Sequence, residues 1–131
     1  MEKELPQIIK DVGFDFNWDE EKVWALDVPV EEIDINELTW HFDIPFHWHG
    51  GEVYNLKSRE IIDNPEKYKD EYKRTMNADL IHPIDIMENK GQWLILDGLH
   101  RLMKAYIQGH KTVKVRKISR DLIPKILKDE L

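Results

Sequence analysis

The sequence predicts an α+β domain in which helices pack on a small mixed β-sheet. Segments of alternating or continuous apolar residues are typical of strands, and apolar residues spaced three or four apart are typical of helices. Their order along the chain is strand, helices, hairpin, helix, strand, helix. The 131 residues suit one domain. We expect an N-terminal arm over residues 1–22 and the single domain over residues 23–131.

The first half of the chain predicts a strand and a helical turn after the arm. Residues 23–35 are rich in Val and Ile and contain Pro29, which suits an edge strand or two short strands that meet at a bend. Residues 36–42 are expected to form a short helical turn. Within the arm, an apolar turn is expected at Leu5, Ile8 and Ile9.

Two helices are predicted next. Residues 58–63 predict a short helix, with Ser58 as its N-cap. Asn64 as N-cap and Pro65 at the first helical position predict the start of a second helix. The buried face of this helix is predicted from residues four apart, Tyr68, Tyr72 and Met76.

A β-hairpin is predicted after these helices. Ile84 and Ile86 flank Asp85 with the alternation typical of a strand. The turn is expected over residues 89–91, where Asn and Gly are found. The apolar run over residues 93–96 predicts a strand that is covered on both faces.

The last third predicts a helix, a strand and a closing helix. Residues 98–108 have a broad apolar face, and Gly109 is a natural end for that helix. A strand is expected over residues 112–118 and a helix over residues 121–130. The strand is expected to point Val113 and Val115 inward and Lys114 and Arg116 outward.

The composition excludes several classes of protein. The sequence has no cysteine, which excludes disulfides, thiolate nucleophiles and Cys-ligated zinc. No segment approaches the ~20 apolar residues of a membrane span, and the acidic start of the chain lacks the apolar core of a signal peptide. We therefore expect a cytoplasmic protein with no membrane partner. The net charge of −7 disfavours non-specific nucleic-acid binding by the isolated domain.

The charges are unevenly distributed along the chain. Acidic residues crowd the first third, whereas residues 98–120 contain basic residues and no acidic ones. One interpretation is two solvated faces of opposite sign that attract each other across the fold. The other is a local positive field that draws an anionic ligand to residues 97–101.

The most informative motif is Asp97-Gly98-Leu99-His100-Arg101, where an apolar strand ends and a helix begins. The first N–H groups of a helix, including that of Leu99, have no helical partners, and the helix dipole places positive charge there, which suits a phosphate. Gly98 lets a ligand approach, and Arg101 can bind phosphate oxygens in a bidentate way. His100 can donate to phosphate or carry a proton, and Asp97 can hold magnesium or accept a proton. Asp97 and His100 are therefore the candidate catalytic residues.

Two of these residues have structural interpretations as well. An Asp directly before a helix is more often an N-cap than a catalyst, so Asp97 is expected to cap the helix as its main role. Arg101 could equally pair with a carboxylate from the acidic first third of the chain.

The motif and its surroundings resemble the ParB/sulfiredoxin-like superfamily. The likeness spans about residues 23–120 and lies in residues 83–86, in Leu96–Arg101, and in Ala105, Gly109 and residues 113–115. The resemblance implies a domain that binds nucleotide phosphates at this turn, with ATP, ADP or CTP and Mg²⁺ as the ligand. The superfamily includes CTP-hydrolysing partition proteins, ATP-using sulfiredoxins, free-serine kinases and proposed nucleases.

Leu99 departs from the pattern of this superfamily. Sulfiredoxins have a catalytic Cys at this position and partition proteins usually have Glu, so neither chemistry carries over. We expect neither the DNA-reading domain nor the dimer domain that partition proteins append. The serine-kinase branch matches the turn better, and Asp43 and Glu52 are the candidates here for that branch's other acidic residue.

A second unusual segment, residues 40–51, is rich in histidine and aromatic residues. His47 and His49 would point to one side if extended, which is a common spacing of metal ligands, and Asp43 or His41 could add a third. The favoured alternative is a loop with aromatic rings on the core and histidines solvated or bonded to backbone. For a loop that covers a substrate, the candidate residues are Asp43, His47, Trp48 and His49.

Two functions stay open at this point. One is a small nucleotide-dependent phosphotransferase or hydrolase, with residues 41–55 covering a small-molecule substrate. The alternative is a non-catalytic DNA- or protein-binding module related to chromosome-partition proteins, with residues 114–120 as its contact surface. The sequence does not decide whether the protein is an enzyme, or which metal it holds.

Overall fold

The computed structural model describes residues 6–129, and within them six strands form two sheets. The strands are β1 (Val30–Asp34), β2 (His47–His49), β3 (Glu52–Leu56), β4 (Ile84–Asn89), β5 (Gln92–Asp97) and β6 (Thr112–Lys117). The main sheet has the order β1-β6-β4-β5, and β2 and β3 form a separate hairpin. Strand β6 is antiparallel to β1 and parallel to β4, and β5 is antiparallel to β4. The predicted α+β class with a small mixed sheet is confirmed.

Six α-helices and three short 3₁₀ segments accompany the sheets within the same range. The helices are α1 (Gln7–Val12), α2 (Glu20–Trp24), α3 (Ser58–Asp63), α4 (Lys69–Met76), α5 (Leu99–Ile107) and α6 (Ile123–Ile126). The 3₁₀ segments are Ile35–Glu37, Thr39–Asp43 and Arg120–Leu122. Among the described residues, no helix has the length and apolar character that crossing a bilayer requires.

The main sheet is covered on both faces. One face packs Ile84 and Ile86 of β4 against Leu102 and Met103 of α5, together with residues of α3. The other face packs Met87 of β4 against α2, α6 and the N-terminal segment. Burial on both faces explains why five of the six residues of β4 are buried.

The first predicted strand is partly a helix. Val23 and Trp24 lie in α2, because Asp19 caps that helix, its Oδ1 accepting a hydrogen bond from the N–H of Glu21 at 2.9 Å. The strand itself begins at Val30 and lies at the edge of the sheet, as predicted. The expected helical turn after it is confirmed as 3₁₀ helix.

The predicted N-caps of the next two helices are wrong. Ser58 is the first residue of α3 and is fully buried, with its hydroxyl bonded to His47 rather than to the helix. Asn64 ends α3, and its Nδ2 donates to the carbonyl oxygen of Glu60 at 2.9 Å. Turns follow Asn64, so α4 begins only at Lys69. On α4 the fully buried side chain is that of Thr75.

The hairpin, α5 and β6 follow the prediction closely. Lys90 and Gly91 both have positive φ in the β4–β5 turn. Gly109 follows α5 with φ +80°, and the N–H groups of Gly109 and His110 donate to the carbonyl oxygens of Tyr106 and Ala105. These two bonds form the Schellman motif that ends a helix.

The expected orientation of Arg116 is wrong. Its side chain is buried and forms a 2.7 Å ion pair with Asp85. The same guanidinium donates to the carbonyl oxygens of Val23 and Leu26 at the end of α2. Arg116 therefore attaches α2 to the sheet rather than facing solvent.

Both ends of the chain depart from the predicted elements. The closing helix over residues 121–130 is reduced to a 3₁₀ segment and the four residues of α6, and Glu130 lies outside the described residues. In the arm, Leu5 also lies outside them, and Ile8 and Ile9 are in α1. Residues 14–18 place three aromatic rings against the second face of the sheet, with centroids 5.1–5.9 Å apart, namely Phe14, Phe16 and Trp18.

Candidate functional site

A cavity of about 750 Å³ lies where β5 meets α5. The N-terminal segment, residues 9–20, forms one wall, and β5 with the start of α5 forms another. Ala78, Asp79 and His82 line it from the loop before β4. All five residues of the predicted motif line this cavity, namely Asp97, Gly98, Leu99, His100 and Arg101.

The strand-to-helix turn depends on Gly98. Its φ of +116° is a conformation that side-chain-bearing residues rarely adopt. A Cβ placed there would lie 3.3 Å from Ile84 Cα and 3.2 Å from Arg101 Nη1. The first intrahelical bond joins the N–H of Leu102 to the carbonyl of Gly98 at 3.0 Å. The N–H groups of Leu99, His100 and Arg101 precede that bond, and such groups at the start of a helix have no intrahelical partners.

Asp97 and Arg101 bind each other, which changes both of their expected roles. Asp97 Oδ2 accepts hydrogen bonds from Arg101 Nη2 at 2.9 Å and from Trp24 Nε1 at 2.8 Å. Gly98 occupies the N-cap position of α5, and no side chain caps this helix. The expected capping role of Asp97 is therefore wrong. Arg101 also donates through Nη1 to the carbonyl oxygen of Pro83, so its guanidinium connects the turn to the residue before β4.

Two side chains cover the edge of β5 that faces away from β4. His41 is fully buried; its Nδ1 donates to the carbonyl of Leu38 at 2.7 Å and its Nε2 accepts from the N–H of Ile95 at 3.1 Å. Burial lowers the pKa of His41 to about 4, against the opposing effect of its bond to Leu38. Trp18 Nε1 donates to the carbonyl oxygen of Leu96 at 3.0 Å. His41 is thus a neutral structural histidine that lines the cavity wall.

Three side chains from separate elements meet beside the start of α5. Glu71 Oε2 of α4 lies 3.4 Å from His100 Nε2 and 3.9 Å from His47 Nδ1. The opposite nitrogen of His47, Nε2, is hydrogen-bonded to Ser58 Oγ at 2.8 Å. Burial and the neighbouring His100 lower the pKa of His47 to about 4. We call His47, Glu71 and His100 the histidine–glutamate cluster.

The histidine-rich loop is divided by the structure. A register shift between His47 and His49 places His47 in the interior, whereas His49 is exposed and packs its ring edge-on against Tyr68. The expected pairing of these two histidines on one side is therefore wrong. Trp48 is 60% exposed and contacts Tyr54.

The acidic candidates of this loop lie away from the cavity. Asp43 binds Arg59 with two hydrogen bonds of 2.6 and 3.3 Å, and the bond to Arg59 lowers the pKa of this exposed carboxyl. Glu52 is exposed at the start of β3. Neither residue lines the cavity.

The basic residues after α5 are largely engaged within the protein. Besides the buried Arg116, Lys117 lies 3.4 Å from Glu31 and 5.1 Å from the ring centroid of Trp93. Arg120 donates to the carbonyl oxygen of Glu88 at 2.9 Å. Of these three residues, Lys117 alone pairs with an acidic residue of the first third, Glu31.

The charge lining the cavity is mixed. Lys10, Lys90 and Arg101 are accompanied by four acidic residues, Asp15, Glu20, Asp79 and Asp97. Lys90 donates to the carbonyl oxygens of Lys10 and Asp11. Partial burial and the neighbouring Asp97 carboxylate raise the pKa of Glu20.

Sequence reasoning missed Glu71 and the cavity wall formed by the N-terminal segment. A signal for Glu71 was present, because it follows Tyr68 by three residues and so lies on the face predicted to be buried. A charged residue on such a face needs a polar partner. No comparable signal predicted that residues 9–20 would lie against β5.

Comparison with protein-family models, curated proteins and solved structures gives no match.

Proposed function

We propose that this protein binds a nucleotide or a similar phosphate ester in the cavity, with the phosphate at the first turn of α5. The observation that carries the proposal is that the whole motif from Asp97 to Arg101 lines the cavity. A helix start that opens on a cavity offers unpaired N–H groups and the positive end of the helix dipole, and both favour a phosphate.

The size and walls of the cavity suit a small organic anion. Its volume of about 750 Å³ falls in the range of roughly 300–1,000 Å³ typical of ligand pockets. Phe14, Phe46 and Tyr54 line it and offer flat apolar surfaces against which a nucleobase can pack. The phosphate and the base would thus contact different parts of one cavity.

The side-chain charges favour a metal-complexed anion over a bare one. Arg101 already binds Asp97 and Pro83, so the phosphate is held by the helix N–H groups and by Lys10 rather than by a bidentate arginine. The acidic residues around the cavity, including Glu20 and Asp79, repel an uncompensated triphosphate. This balance supports ATP, ADP or CTP bound together with Mg²⁺, which is coordinated by oxygen ligands.

We further propose the ParB/sulfiredoxin-like fold for this domain. What supports it is the succession of β5, the Gly98 turn, α5, Gly109 and β6, which is the order on which the resemblance was based. The proposal extends to phosphoryl transfer or hydrolysis, and in that reaction His100 is the residue that carries a proton. Asp97 is less suited to act as a base, because its Oδ2 already accepts two hydrogen bonds.

Isothermal titration of the full chain with ATP, ADP and CTP, each with and without Mg²⁺, tests the proposal. We expect saturable one-to-one binding of at least one nucleotide, tighter with Mg²⁺. Lys10→Glu reverses a charge at the cavity and should weaken binding by roughly tenfold, or about 1.4 kcal/mol.

Lys114→Glu is the matched control, because it makes the same charge change on the exposed face of β6. It should leave the dissociation constant within about twofold. Failure of every nucleotide to bind would overturn the proposal. Equal weakening by the two variants would show that the anion responds only to the overall charge of the protein.

A further inference from the structure

We infer that His47, Glu71 and His100 form a binding site for one divalent transition metal ion of the zinc class. The ligand atoms are His47 Nδ1, Glu71 Oε2 and His100 Nε2, which all lie within 4.8 Å of one another. The three residues come from β2, α4 and α5, so the ion would join three elements that are far apart in the sequence. The site stands on its own geometry and shares only His100 with the proposed nucleotide site.

The distances suit ligands around a shared ion better than direct hydrogen bonds. The separations of 3.4 and 3.9 Å from Glu71 Oε2 exceed the usual range of roughly 2.7–3.2 Å for such bonds. Two ligand atoms about 2.1 Å from one tetrahedral ion are about 3.4 Å apart. The separation of Glu71 from His100 already matches this value, and that of Glu71 from His47 exceeds it by about half an ångström.

Ser58 provides the outer contact that metal-binding histidines require. Its hydroxyl lies 2.8 Å from His47 Nε2. A ring that donates its Nε2–H to this hydroxyl carries its lone pair on Nδ1, and Nδ1 is the nitrogen that faces Glu71. Ser58 is fully buried, so this contact holds the orientation of His47, and its hydroxyl can accept the Nε2–H of the tautomer that metal binding needs.

The charges around the cluster leave the inner carboxylate oxygen of Glu71 available. Arg74 contacts Glu71 through the other oxygen, Oε1, at 3.5 Å, and its side chain is 67% exposed. Because Arg74 contacts the outer oxygen from the solvent side, Oε2 keeps its negative charge directed at the two histidines.

The donor set selects the class of metal. Two imidazole nitrogens and one carboxylate suit Zn²⁺ and related ions, whereas Mg²⁺ prefers oxygen ligands. Three protein ligands leave a coordination position open, as in catalytic zinc sites. The side chain of His100 is 31% exposed and lines the cavity, so that open position is accessible to water or to a ligand oxygen.

Titration of the metal-stripped full chain with Zn²⁺, with no nucleotide present, tests this inference. We expect one Zn²⁺ per chain and no competition from millimolar Mg²⁺. Glu71→Gln and His100→Asn should each weaken Zn²⁺ binding by at least the tenfold that loss of an outer contact typically costs. Ser58→Ala changes only the outer contact and should weaken it by about 10- to 100-fold.

His49→Asn is the matched control, because His49 is an exposed histidine two residues from His47. It should leave Zn²⁺ binding unchanged. Absence of stoichiometric binding, or equal binding by Glu71→Gln, His100→Asn and the unaltered protein, would overturn the inference, as would loss of binding in His49→Asn. Circular dichroism checks the fold of each variant, and His100→Asn decides the question if a change at a more buried position prevents folding.

The outcome is independent of nucleotide binding, although a metal ion on His100 Nε2 would take the place of a proton there. Nucleotide binding is measured in the presence of EDTA and added Mg²⁺ in excess, and Zn²⁺ binding is measured without nucleotide. Glu71→Gln should weaken Zn²⁺ binding by at least tenfold and leave nucleotide binding unchanged. One proposal can therefore fail while the other holds.

Discussion

The guanidinium of Arg101 binds two acceptors of the protein itself, the carboxylate of Asp97 in its own turn and the carbonyl oxygen of Pro83 directly before β4. The sequence motif favoured a phosphate-binding role for this residue. The structure instead gives it a set of internal acceptors, of which the ionised Asp97 contributes the strongest bond. Replacing Arg101 should therefore lower the free energy of unfolding.

Arg101→Ala should lower the free energy of unfolding by about 2–3 kcal/mol, because it removes a hydrogen bond between charged groups at a half-buried position. Urea unfolding measures the change. Arg59→Ala breaks a bidentate pair that is exposed and should cost less than about 1 kcal/mol. Equal losses in the two variants would contradict the structural role of Arg101.

His41 makes the stability of the fold depend on pH. Its folded pKa of about 4 lies below the ordinary value of 6.5, so the unfolded chain binds more protons between these values. Its contribution is fully present above pH 6.5 and is lost as pH falls toward 4. Between pH 7 and pH 5 the unaltered protein should therefore lose about 2 kcal/mol more than His41→Asn does.

Chemical unfolding at the two pH values gives this difference directly. His110→Asn serves as the comparison, because His110 is exposed, and it should lose as much stability on acidification as the unaltered protein. If His41→Asn keeps the full pH dependence, then His41 is not held neutral in the folded state.

For single residues, the sequence predicted which ones lie at the candidate site better than it predicted what they bind. The turn from Asp97 to Arg101 was found correctly, because glycine and the change from strand to helix are local signals. The partners of Asp85 and Glu71 were not predictable, because Arg116 and His47 lie 31 and 24 positions away and only packing brings them together.

Among the elements, α5 is the most completely determined by its own sequence. Glycines with positive φ lie at both ends, Gly98 before the helix and Gly109 after it. At Gly109 a Cβ would meet nothing within 4 Å, whereas at Gly98 it would crowd Ile84 and Arg101. Alanine substitutions at these two glycines therefore distinguish the cost of backbone strain from the cost of steric crowding.

Gly109→Ala should cost about 1–2 kcal/mol of stability from the left-handed backbone alone. Gly98→Ala should cost more, since the 3.2–3.3 Å contacts add crowding, and it should also weaken nucleotide binding by displacing the first turn. Urea unfolding and titration calorimetry measure the two effects. Equal destabilisation, with nucleotide affinity preserved in Gly98→Ala, would contradict the role given to this turn.

Elements with local signals were predicted well, and those that depend on distant partners were not. The β4–β5 hairpin follows from its Asn-Lys-Gly turn, and the end of α5 follows from Gly109. The sequence over residues 23–35 favoured strand throughout, but Asp19 and Arg116 stabilise a helix over Glu20–Trp24. The start predicted for α4 failed because Asn64 ends the preceding helix.

At the scale of the whole molecule, the candidate site depends on the layer that packs on the Met87 face of the main sheet. The aromatic residues 14–18 and α2 cover that face, and the cavity forms between this layer and β5. The order of the predicted strands and helices indicated the mixed fold, but not that residues 9–20 would form a wall of the site. That arrangement depends on contacts across the full length of the chain, such as the Trp18 to Leu96 hydrogen bond.

The proposed binding of a phosphate group at the first turn of α5 can be observed residue by residue. The most direct test is a titration of ¹⁵N-labelled protein with Mg²⁺–ATP and Mg²⁺–CTP, followed through the backbone amide resonances. We expect the largest saturable shifts at the amides of Gly98, Leu99, His100 and Arg101. Shifts confined to exposed basic residues such as Lys111 and Lys114, or no saturable shift at residues 98–101, would contradict it.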